Sequence, residues 1–368
     1  MSLVYFGVSL PNQLEHPLKD KIRYCSPDEL ARTKISHDEY ESFLNALQEI
    51  SYLNEVIVLS TCNRFEVVFD IDEDKITNDV LFELSSKIRY ETKSDLTLAY
   101  LLGNEAKFQL ARTYCGLNSA LVGESEITIQ LDTAFRQGLR MGYLGEKVGR
   151  FYDELQVLRK VLDDQIYKNR ISYCDIALKG SFNKFGLAPE SISKLQNILV
   201  LGSGNTAYKS CTSLVANGVQ AENITLVHRV SCSSVQLDSV RAERELAGIN
   251  MTRSKDGYYT SKVQKLAQAA DMVVFGIDSK RSVLDLDESF MSQRTKFIDF
   301  NSNPSVTINS GFESSHYISN LELDSFVRIH SYEQARDYHF MSQARAAERF
   351  LENAIYEKLI DGKSLVSV

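Results

Sequence analysis

Short apolar runs alternate with helical stretches along the chain, and the first part of this pattern mixes both element types. Apolar runs at residues 4–9, 56–59 and 65–69 predict β-strands, and helical periodicity predicts helices around them. Ser26 and Glu29, with a proline after the serine, supply the capping box that starts a helix. This pattern predicts an α+β domain over residues 1–146.

The pattern changes after residue 146. We expect residues 147–186, which are polar and helical with few breakers, to form a long helix or helix pair linking two globular parts. Apolar strands at 197–201, 224–227, 271–275 and 296–300 then alternate with helical stretches, which is typical of a doubly wound parallel sheet. The sequence therefore predicts a Rossmann-type domain over residues 187–325.

A last helix is predicted within residues 326–368, with Ser331 and Gln334 as its capping pair. Its apolar positions recur at helical spacing and form one stripe: Phe340, Ala344, Ala347, Leu351, Ala354, Ile355 and Leu359. We expect this stripe to pack against the chain's own domains, because an exposed stripe would cause self-association.

A glycine-rich loop follows the first strand of the second domain and opens a helix. The pattern is G-x-G-x-x-A, formed by Gly202, Ser203, Gly204, Asn205, Thr206 and Ala207. In this context the glycines let backbone N–H groups and a helix N-terminus approach a pyrophosphate. His228 and Arg229 end the next strand, and an arginine there suits a 2′-phosphate, so NADPH is favoured over NADH. The alternative is a tight turn with an ordinary surface arginine.

Composition and charge narrow the classes of function. The 368 residues exceed the usual size of one core. The net charge of −8, with no long basic run, argues against binding of DNA by broad phosphate neutralisation, although a local basic patch stays open. The sequence contains no run of about 18 consecutive apolar residues, so we predict no membrane span. Residues 1–11 lack the basic start of a signal peptide. We expect a cytoplasmic protein.

The six cysteines are scattered, without metal-ligand spacing, so we predict no metal site and reduced thiols. One of them stands out, because Cys62 and Arg64 lie at the break between two predicted strands. If the chain stays extended there, both side chains share a face, and the guanidinium lowers the pKa of the thiol. Arg64 would equally hold an anionic substrate group. The alternative is a buried cysteine beside a solvated arginine.

A reactive thiol and a nicotinamide suggest one joint reaction. The thiolate forms a thioester with an acyl group, and hydride converts it to an aldehyde, or the reverse occurs.

Two stretches resemble the signatures of the glutamyl-tRNA reductase family. Residues 60–66 resemble S-T-C-N-R-x-E, and residues 116–124 resemble G-L-D-S-x-x-x-G-E. The order of domains also agrees. The resemblance implies that Cys62 takes the glutamyl group from tRNA-Glu and that NADPH reduces it to glutamate-1-semialdehyde for tetrapyrrole synthesis. It also implies a substrate site formed by Thr61, Arg64, Arg112, Ser119, Glu124 and Gln130.

The chain departs from the family pattern at two main places. Gln109 stands where the family has a catalytic histidine, and glutamine does not titrate, so it would hold a carbonyl or a water instead. The chain ends at Val368, where the family continues into a dimerisation domain, so a homodimer is left open. A divergent paralogue fits this pattern, acting on another aminoacyl-tRNA or in a specialised pathway. A thiol-dependent, NADP-linked aldehyde dehydrogenase and a non-catalytic regulatory protein are the alternatives.

Other polar residues receive plainer interpretations. Five histidines lie in no motif and are interpreted as surface or hydrogen-bonded residues: His16, His37, His316, His330 and His339. Five cations of the linking segment are interpreted as a solvated face, and as the first place to look for tRNA contact: Arg150, Arg159, Lys160, Lys168 and Arg170.

Overall fold

The computed structural model describes residues 2–11, 14–33, 35, 37–61, 63–119, 121–165, 172–229, 246–254, 258, 260–277, 282–286, 290, 295–301, 304–310 and 312–358. Predictions that concern Cys62, Lys168, Arg170 and Leu359 therefore lie outside the described residues. The chain forms two compact units, the first from Met1–Ile171 with His330–Val368 and the second from Ser172–Ile329. None of the described helices has the length and apolarity needed to cross a membrane.

The first unit is an α+β domain, as predicted. Its strands are β1 (Ser2–Ser9), β2 (Leu53–Ser60), β3 (Arg64–Ile71) and β4 (Ala99–Leu102), and they form an antiparallel sheet in the order β2-β3-β1-β4. Its helices up to the linking segment are α1 (Pro27–Thr33), α2 (His37–Gln48), α3 (Asn78–Thr92), α4 (Gly103–Tyr114) and α5 (Glu126–Met141). Ser26 and Glu29 make the predicted reciprocal capping contacts at the start of α1.

Alternation along β3 decides which side chains face which layer of helices. Phe65, Val67 and Phe69 lie in the apolar core shared with α1, α2 and α3. Successive side chains of a strand point to opposite faces, so Arg64 and Glu66 lie on the other face, which α4, α5 and α6 (Glu146–Gln165) cover. This is how two charged residues come to be buried in a domain of this size.

Helix α6 (Glu146–Gln165) is a core helix of the first unit and not only a connector. Its buried stripe consists of Val148, Phe151, Tyr152, Leu155, Leu158 and Leu162. Arg159, expected on a solvated face, is 5% exposed, because its guanidinium donates to the carboxylate of Asp163 and to the carbonyl of Gly123. That expectation was wrong for Arg159, whereas Arg150 and Lys160 are exposed. The linking segment is thus divided, since α7 (Tyr173–Lys184) belongs to the second unit.

The C-terminal part of the chain returns to the first unit. Helix α11 (Asn320–Arg336) continues through Ser331 and Gln334, so the predicted cap is wrong. The break comes at Asp337, whose carboxylate accepts the N–H groups of His339 and Phe340 at the start of α12 (Tyr338–Asn353). The predicted stripe packs into the core of the first unit through Ala344, Ala347, Leu351, Ala354 and Ile355.

The second unit is a Rossmann-type domain, as predicted. Its six parallel strands follow the order β12-β10-β8-β5-β6-β7, which is the strand order of dinucleotide-binding folds. These strands are β5 (Ile198–Leu201), β6 (Ile224–Arg229), β7 (Asn250–Ser254), β8 (Met272–Phe275), β10 (Lys296–Asp299) and β12 (Tyr317–Ile318). The described helices include α8 (Pro189–Ile192), α9 (Asn205–Ala216) and α10 (Ser261–Gln268), and β9 (Leu284–Leu286) pairs with β11 (Val306–Ile308).

Glu55 on β2 holds the start of α6, and this contact yields a test of the fold. Its buried carboxylate accepts the N–H groups of Gly145, Lys147 and Val148, at 2.9, 3.2 and 3.0 Å. We expect Glu55→Ala to lower the free energy of unfolding by about 2 kcal/mol, because three N–H groups lose a charged acceptor. Urea denaturation measures this change. Glu73→Ala, at an exposed carboxylate of the same unit, should have little effect.

Candidate active site

Thr61 and Asn63 lie at the turn that connects β2 and β3. β2 and β3 are antiparallel, and the N–H of Thr61 donates to the carbonyl of Arg64 at 2.9 Å. The N–H of Asn63 donates to the hydroxyl of Thr61 at 3.2 Å. The chain therefore reverses between Thr61 and Arg64, and the prediction that Cys62 and Arg64 share a face lies outside the described residues. Thr61 itself is half-buried on this turn.

Arg64 is the centre of a buried polar cluster. Its guanidinium donates to the carbonyl of Asn118 at 2.7 Å and lies 3.4 Å from both the Glu66 carboxylate and the Thr113 hydroxyl. The side chain is 2% exposed. Within the described part of the chain, Arg64 Nε and one oxygen of Glu66 are buried without a hydrogen-bond partner. An unpaired donor and acceptor in one buried cluster are typical of a site that a ligand completes.

Glu66 accepts hydrogen bonds from two elements, β3 and α4. Its Oε1 accepts from the hydroxyl of Thr113 at 3.2 Å and from Arg64. Burial raises the pKa of Glu66, while Arg64 and the hydroxyls of Thr113 and Tyr5 oppose that rise. The carboxylate thus depends on its donors to stay charged in the interior.

Gly7 makes room for the Tyr5 side chain beside this cluster. A Cβ at Gly7 would lie 2.3 Å from the Tyr5 hydroxyl oxygen, so only glycine lets that ring lie across the strand. The ring reaches over β1 towards Gln109, whose amide lies 3.4 Å from the Tyr5 hydroxyl. Burial and the charge of Glu66 raise the pKa of Tyr5, so the phenol keeps its proton.

Gln109 links His16 to this cluster. His16 Nε2 lies 2.7 Å from Gln109 Oε1, and the Leu18 N–H donates to His16 Nδ1 at 2.9 Å. Because Nδ1 accepts, Nε2 carries the ring proton and donates it to the Gln109 oxygen, which leaves the Gln109 amide nitrogen directed at Tyr5. Burial, reinforced by the charge of Arg112, lowers the pKa of His16 to about 3, so the imidazole is neutral.

Arg112 is fully buried on α4. Its Nε donates to Asn118 Oδ1 at 3.0 Å, and its guanidinium lies over the Phe108 ring, 5.7 Å from the centroid. Glu348 on α12 forms an ion pair with it. Asn118, in the second signature, also donates to the Thr113 hydroxyl at 3.0 Å, so it connects Arg112 with the Arg64 cluster.

Ser119 and Glu124 lie at the edge of the same cluster. Burial raises the pKa of Glu124 well above its usual range, and the nearby Glu126 adds to that rise. Arg64, the Ser119 hydroxyl and Arg159 act in the opposite direction. Glu124 is therefore a carboxyl group that holds its proton at higher pH than a solvated one.

The predicted site residues thus separate into two groups. Arg64, Gln109 and Arg112 share one buried hydrogen-bonded network, with Ser119 and Glu124 beside it. Gln130 is exposed on α5 and does not belong to these buried side chains.

Sequence reasoning missed several members of the network: Tyr5, His16, Glu66, Thr113, Asn118 and Glu348. Glu66 and Asn118 stand inside the two signatures, so the motifs themselves carried a signal for them. The alternation of β3 also indicates Glu66, since it shares a face with Arg64. His16 and Glu348 lie outside any motif, and only the packing of distant segments reveals them.

Four other cysteines behave as small apolar residues. Cys25, Cys115, Cys174 and Cys211 are buried. Burial raises the pKa of Cys25 to about 11 and those of Cys115 and Cys211 to about 12. Thiols of this kind are poor nucleophiles at neutral pH.

In the second unit, the glycine loop has the shape that a pyrophosphate requires. Gly202 has φ of 148°, and a Cβ there would lie 2.3 Å from the carbonyl oxygen of Gly276, so the loop and β8 approach closely. A Cβ at Gly204 would meet nothing within 4 Å, which leaves open space at the start of α9. Ala207 packs against Gly202 and Gly276. These residues fit a bound dinucleotide, because the space beside Gly204 at the N-terminus of α9 is open.

The remaining loop residues lie where the motif requires them. Ser203 precedes the cap residue, and Asn205 and Thr206 begin α9. His228 and Arg229 end β6, the strand next to β5. His228 is half-buried, and the Arg229 side chain lies outside what the structure describes.

The His16 contacts predict a specific dependence of stability on pH. The unfolded chain binds a proton on His16 near pH 6.5, whereas the folded chain binds it only near pH 3. Unfolding therefore takes up a proton between these values, and this contribution to stability is lost as pH falls below about 6.5.

We expect His16→Gln, which keeps a donor for Gln109 but does not titrate, to weaken this loss of stability. Urea denaturation at pH 7.5 and pH 5 gives the loss of unfolding free energy on acidification, which is compared between the wild type and the variant. His339→Gln, at an exposed histidine, is the matched control. An equal fall in stability for the wild type and His16→Gln would contradict the buried, neutral imidazole.

Comparisons with known proteins find similar sequences and structures. A family model described as glutamyl-tRNAGlu reductase, N-terminal domain, matches residues 22–161. Proteins named glutamyl-tRNA reductase from Francisella tularensis subsp. holarctica and Francisella philomiragia are each 23% identical, over 230 and 249 residues. Those matches cover 60% and 66% of this chain, and 50% and 55% of the relatives, so the chain spans about half the length of these curated relatives.

Among solved structures, glutamyl-tRNA reductase from Methanopyrus kandleri is similar, with a TM-score of 0.44 and 19% identity, over 97% of this chain and 81% of that one. The match to the family model contains both signature motifs and most of the buried network around Arg64. The similarity to the glutamyl-tRNA reductase family thus lies in residues 22–161, which match the N-terminal domain of those proteins.

Proposed function

We propose that the protein reduces the acyl group of an aminoacyl-tRNA to an aldehyde, using NADPH, with glutamyl-tRNA as substrate and glutamate-1-semialdehyde as product. The observation that carries this proposal is the buried network around Arg64. Arg64 stands two residues after Cys62 in the signature. Within the described residues, its network holds one buried donor and one buried acceptor that have no hydrogen-bond partner. The names of the curated relatives and the dinucleotide-type loop of the second unit support it.

In the proposed reaction, the Cys62 thiolate attacks the carbonyl carbon of the aminoacyl ester. A carbon–sulfur bond forms, the bond to the ribose oxygen breaks, and the tRNA leaves as an alcohol after taking up a proton. Hydride addition then converts the thioester to a thiohemiacetal, which releases the aldehyde and restores the thiolate. Arg64 stands two residues after Cys62 in the sequence, so its guanidinium is the candidate positive charge that would stabilise the thiolate.

The Arg64 cluster would bind the amino acid part of the substrate. The unpaired oxygen of Glu66 is an acceptor for the α-ammonium group, and Arg64 Nε is a donor for an oxygen of the substrate. Since Arg64 and Glu66 are buried and held by neighbouring side chains, they lose little freedom when the substrate binds. Ser119 lies next to Asn118, whose carbonyl accepts from Arg64.

Gln109 cannot take the part of an acid, because an amide does not titrate. Its two amide atoms contact His16 and Tyr5, so we assign it a positioning role for the Tyr5 hydroxyl. Glu124 is the candidate proton donor of this cluster, because burial raises its pKa and keeps it protonated near neutral pH.

The second unit would hold the cofactor. Gly202, Gly204 and the first turn of α9 would bind the pyrophosphate, and Arg229 would select the 2′-phosphate of NADPH. When bound, NADPH supplies a hydride. The residues of this chain contribute the open cradle at Gly204 and the close packing of Gly202 on Gly276.

Covalent transfer tests the proposal directly. Incubated with tRNA-Glu charged with radiolabelled glutamate, and without NADPH, the wild type should retain label after denaturation, whereas Cys62→Ser should retain none. Cys25→Ser is the matched control, because Cys25 is a buried thiol of the same unit that donates only weakly, to the Ser9 carbonyl. Added NADPH should release the label as aldehyde and be consumed with it.

Each alternative predicts a different result. A dehydrogenase of small free acids would oxidise or reduce glutamate derivatives without tRNA. A regulatory protein would take up no label from any charged tRNA, and that outcome would defeat the proposed function.

The two loop glycines offer a separate prediction for the cofactor. Gly204→Val should leave the unfolding free energy nearly unchanged, because its side chain meets open space, but should weaken NADPH binding at least tenfold by filling the cradle. Gly202→Ala should destabilise the second unit, because its Cβ meets the Gly276 carbonyl. Fluorescence titration with NADPH and urea denaturation separate the two effects. Unchanged NADPH affinity in Gly204→Val would contradict binding at this loop.

A further inference from the structure

A carboxylate from the C-terminal helix reaches the arginine that the family resemblance assigns to the substrate. Glu348 on α12 forms an ion pair with Arg112 on α4. Arg112 is fully buried, and the Glu348 side chain is 15% exposed. Asn118 accepts from the Nε of the same guanidinium at 3.0 Å. Glu348 is thus part of the buried network, although it lies far from both signatures in the sequence.

The packing of α12 fixes this contact. Ala344, Ala347 and Leu351 are fully buried against the core of the first unit. Glu348 lies four residues after Ala344 and three before Leu351, so it shares their helix face. The small alanine side chains let α12 approach closely, and the apolar face then directs Glu348 towards Arg112 rather than towards solvent.

The charges of the network have a consequence for the substrate. Arg64 has Glu66 as its counter-charge, and Arg112 has Glu348. A substrate carboxylate that binds Arg112 must either displace Glu348 or share the guanidinium with it. The carboxylate must also lose its hydration on entering a buried site. An uncharged side chain meets a pair that is already neutral and has no such competition.

We propose that Glu348 is a specificity-determining residue of the acyl site. By neutralising Arg112, it allows an uncharged side chain such as that of a glutaminyl group to compete with the glutamyl group. This inference rests on the proposed function, because it requires an aminoacyl substrate next to Arg112. Glu348 acts through Arg112, so its test is a ratio of two substrates, which a general loss of stability or of activity leaves unchanged.

One tRNA, charged either with radiolabelled glutamate or with radiolabelled glutamine, provides the test. The measured quantity is the rate constant for transfer of label to the full-length protein without NADPH. In Glu348→Gln, the ratio of glutamate to glutamine transfer should rise roughly tenfold or more over the wild type, because a glutamate carboxylate no longer competes with the Glu348 charge for Arg112. Glu352→Gln, at an exposed carboxylate on the same helix, should leave the ratio unchanged.

Glu348→Asp serves as a second variant, in case the loss of a buried charge unfolds the first. It keeps the charge but withdraws it by one methylene group, so the ratio should rise by a smaller factor. If label transfer continues and the ratio stays at its wild-type value in the folded variants, the inference is overturned. If the wild type takes no label from either charged tRNA, the proposed function fails, and that result is distinct from an unchanged ratio.

Discussion

A guanidinium in a protein interior needs a counter-charge and several acceptors, and Arg64 imposes this requirement on the first unit. Glu66 provides the charge, and the carbonyl of Asn118 and the hydroxyl of Thr113 provide acceptors. These partners come from β3, from α4 and from the segment after α4, so the sheet and the helix that covers it must meet in one register. Removing either charge would leave the other buried and unpaired, which costs several kcal/mol, on the order of 3–5.

The buried amide of Gln109 also needs hydrogen-bond partners for both its oxygen and its nitrogen. His16 donates to its oxygen, so the nitrogen is left to donate to Tyr5, and Gly7 leaves the space that the Tyr5 ring needs. Each group has a fixed direction of hydrogen bonding because His16 stays neutral. An imidazole therefore remains in the network. It comes from His16, in a different segment of the chain, and it contacts Gln109, the residue at the position where the family motif has a histidine.

The two units divide the proposed chemistry. The first unit carries the signatures and a network of buried, paired charges, whereas the second carries an open glycine cradle on a parallel sheet. The C-terminal helix belongs to the first unit and not to a separate region, because its apolar stripe is buried there. Through Glu348, that packing also adds a charge to the network, which is the basis of the proposed effect on acyl-group specificity.

The sequence by itself determined features that depend on neighbouring residues. Short apolar runs predicted β1, β2 and β3, the capping box at Ser26 predicted the start of α1, and the G-x-G-x-x-A spacing predicted the glycine loop before α9. The tertiary structure decided what joins distant residues. His16 and Gln109 are 93 positions apart, and Glu348 meets Arg112 only because α12 packs on α4. No local pattern encodes such contacts, since they depend on how whole elements bury their apolar faces together.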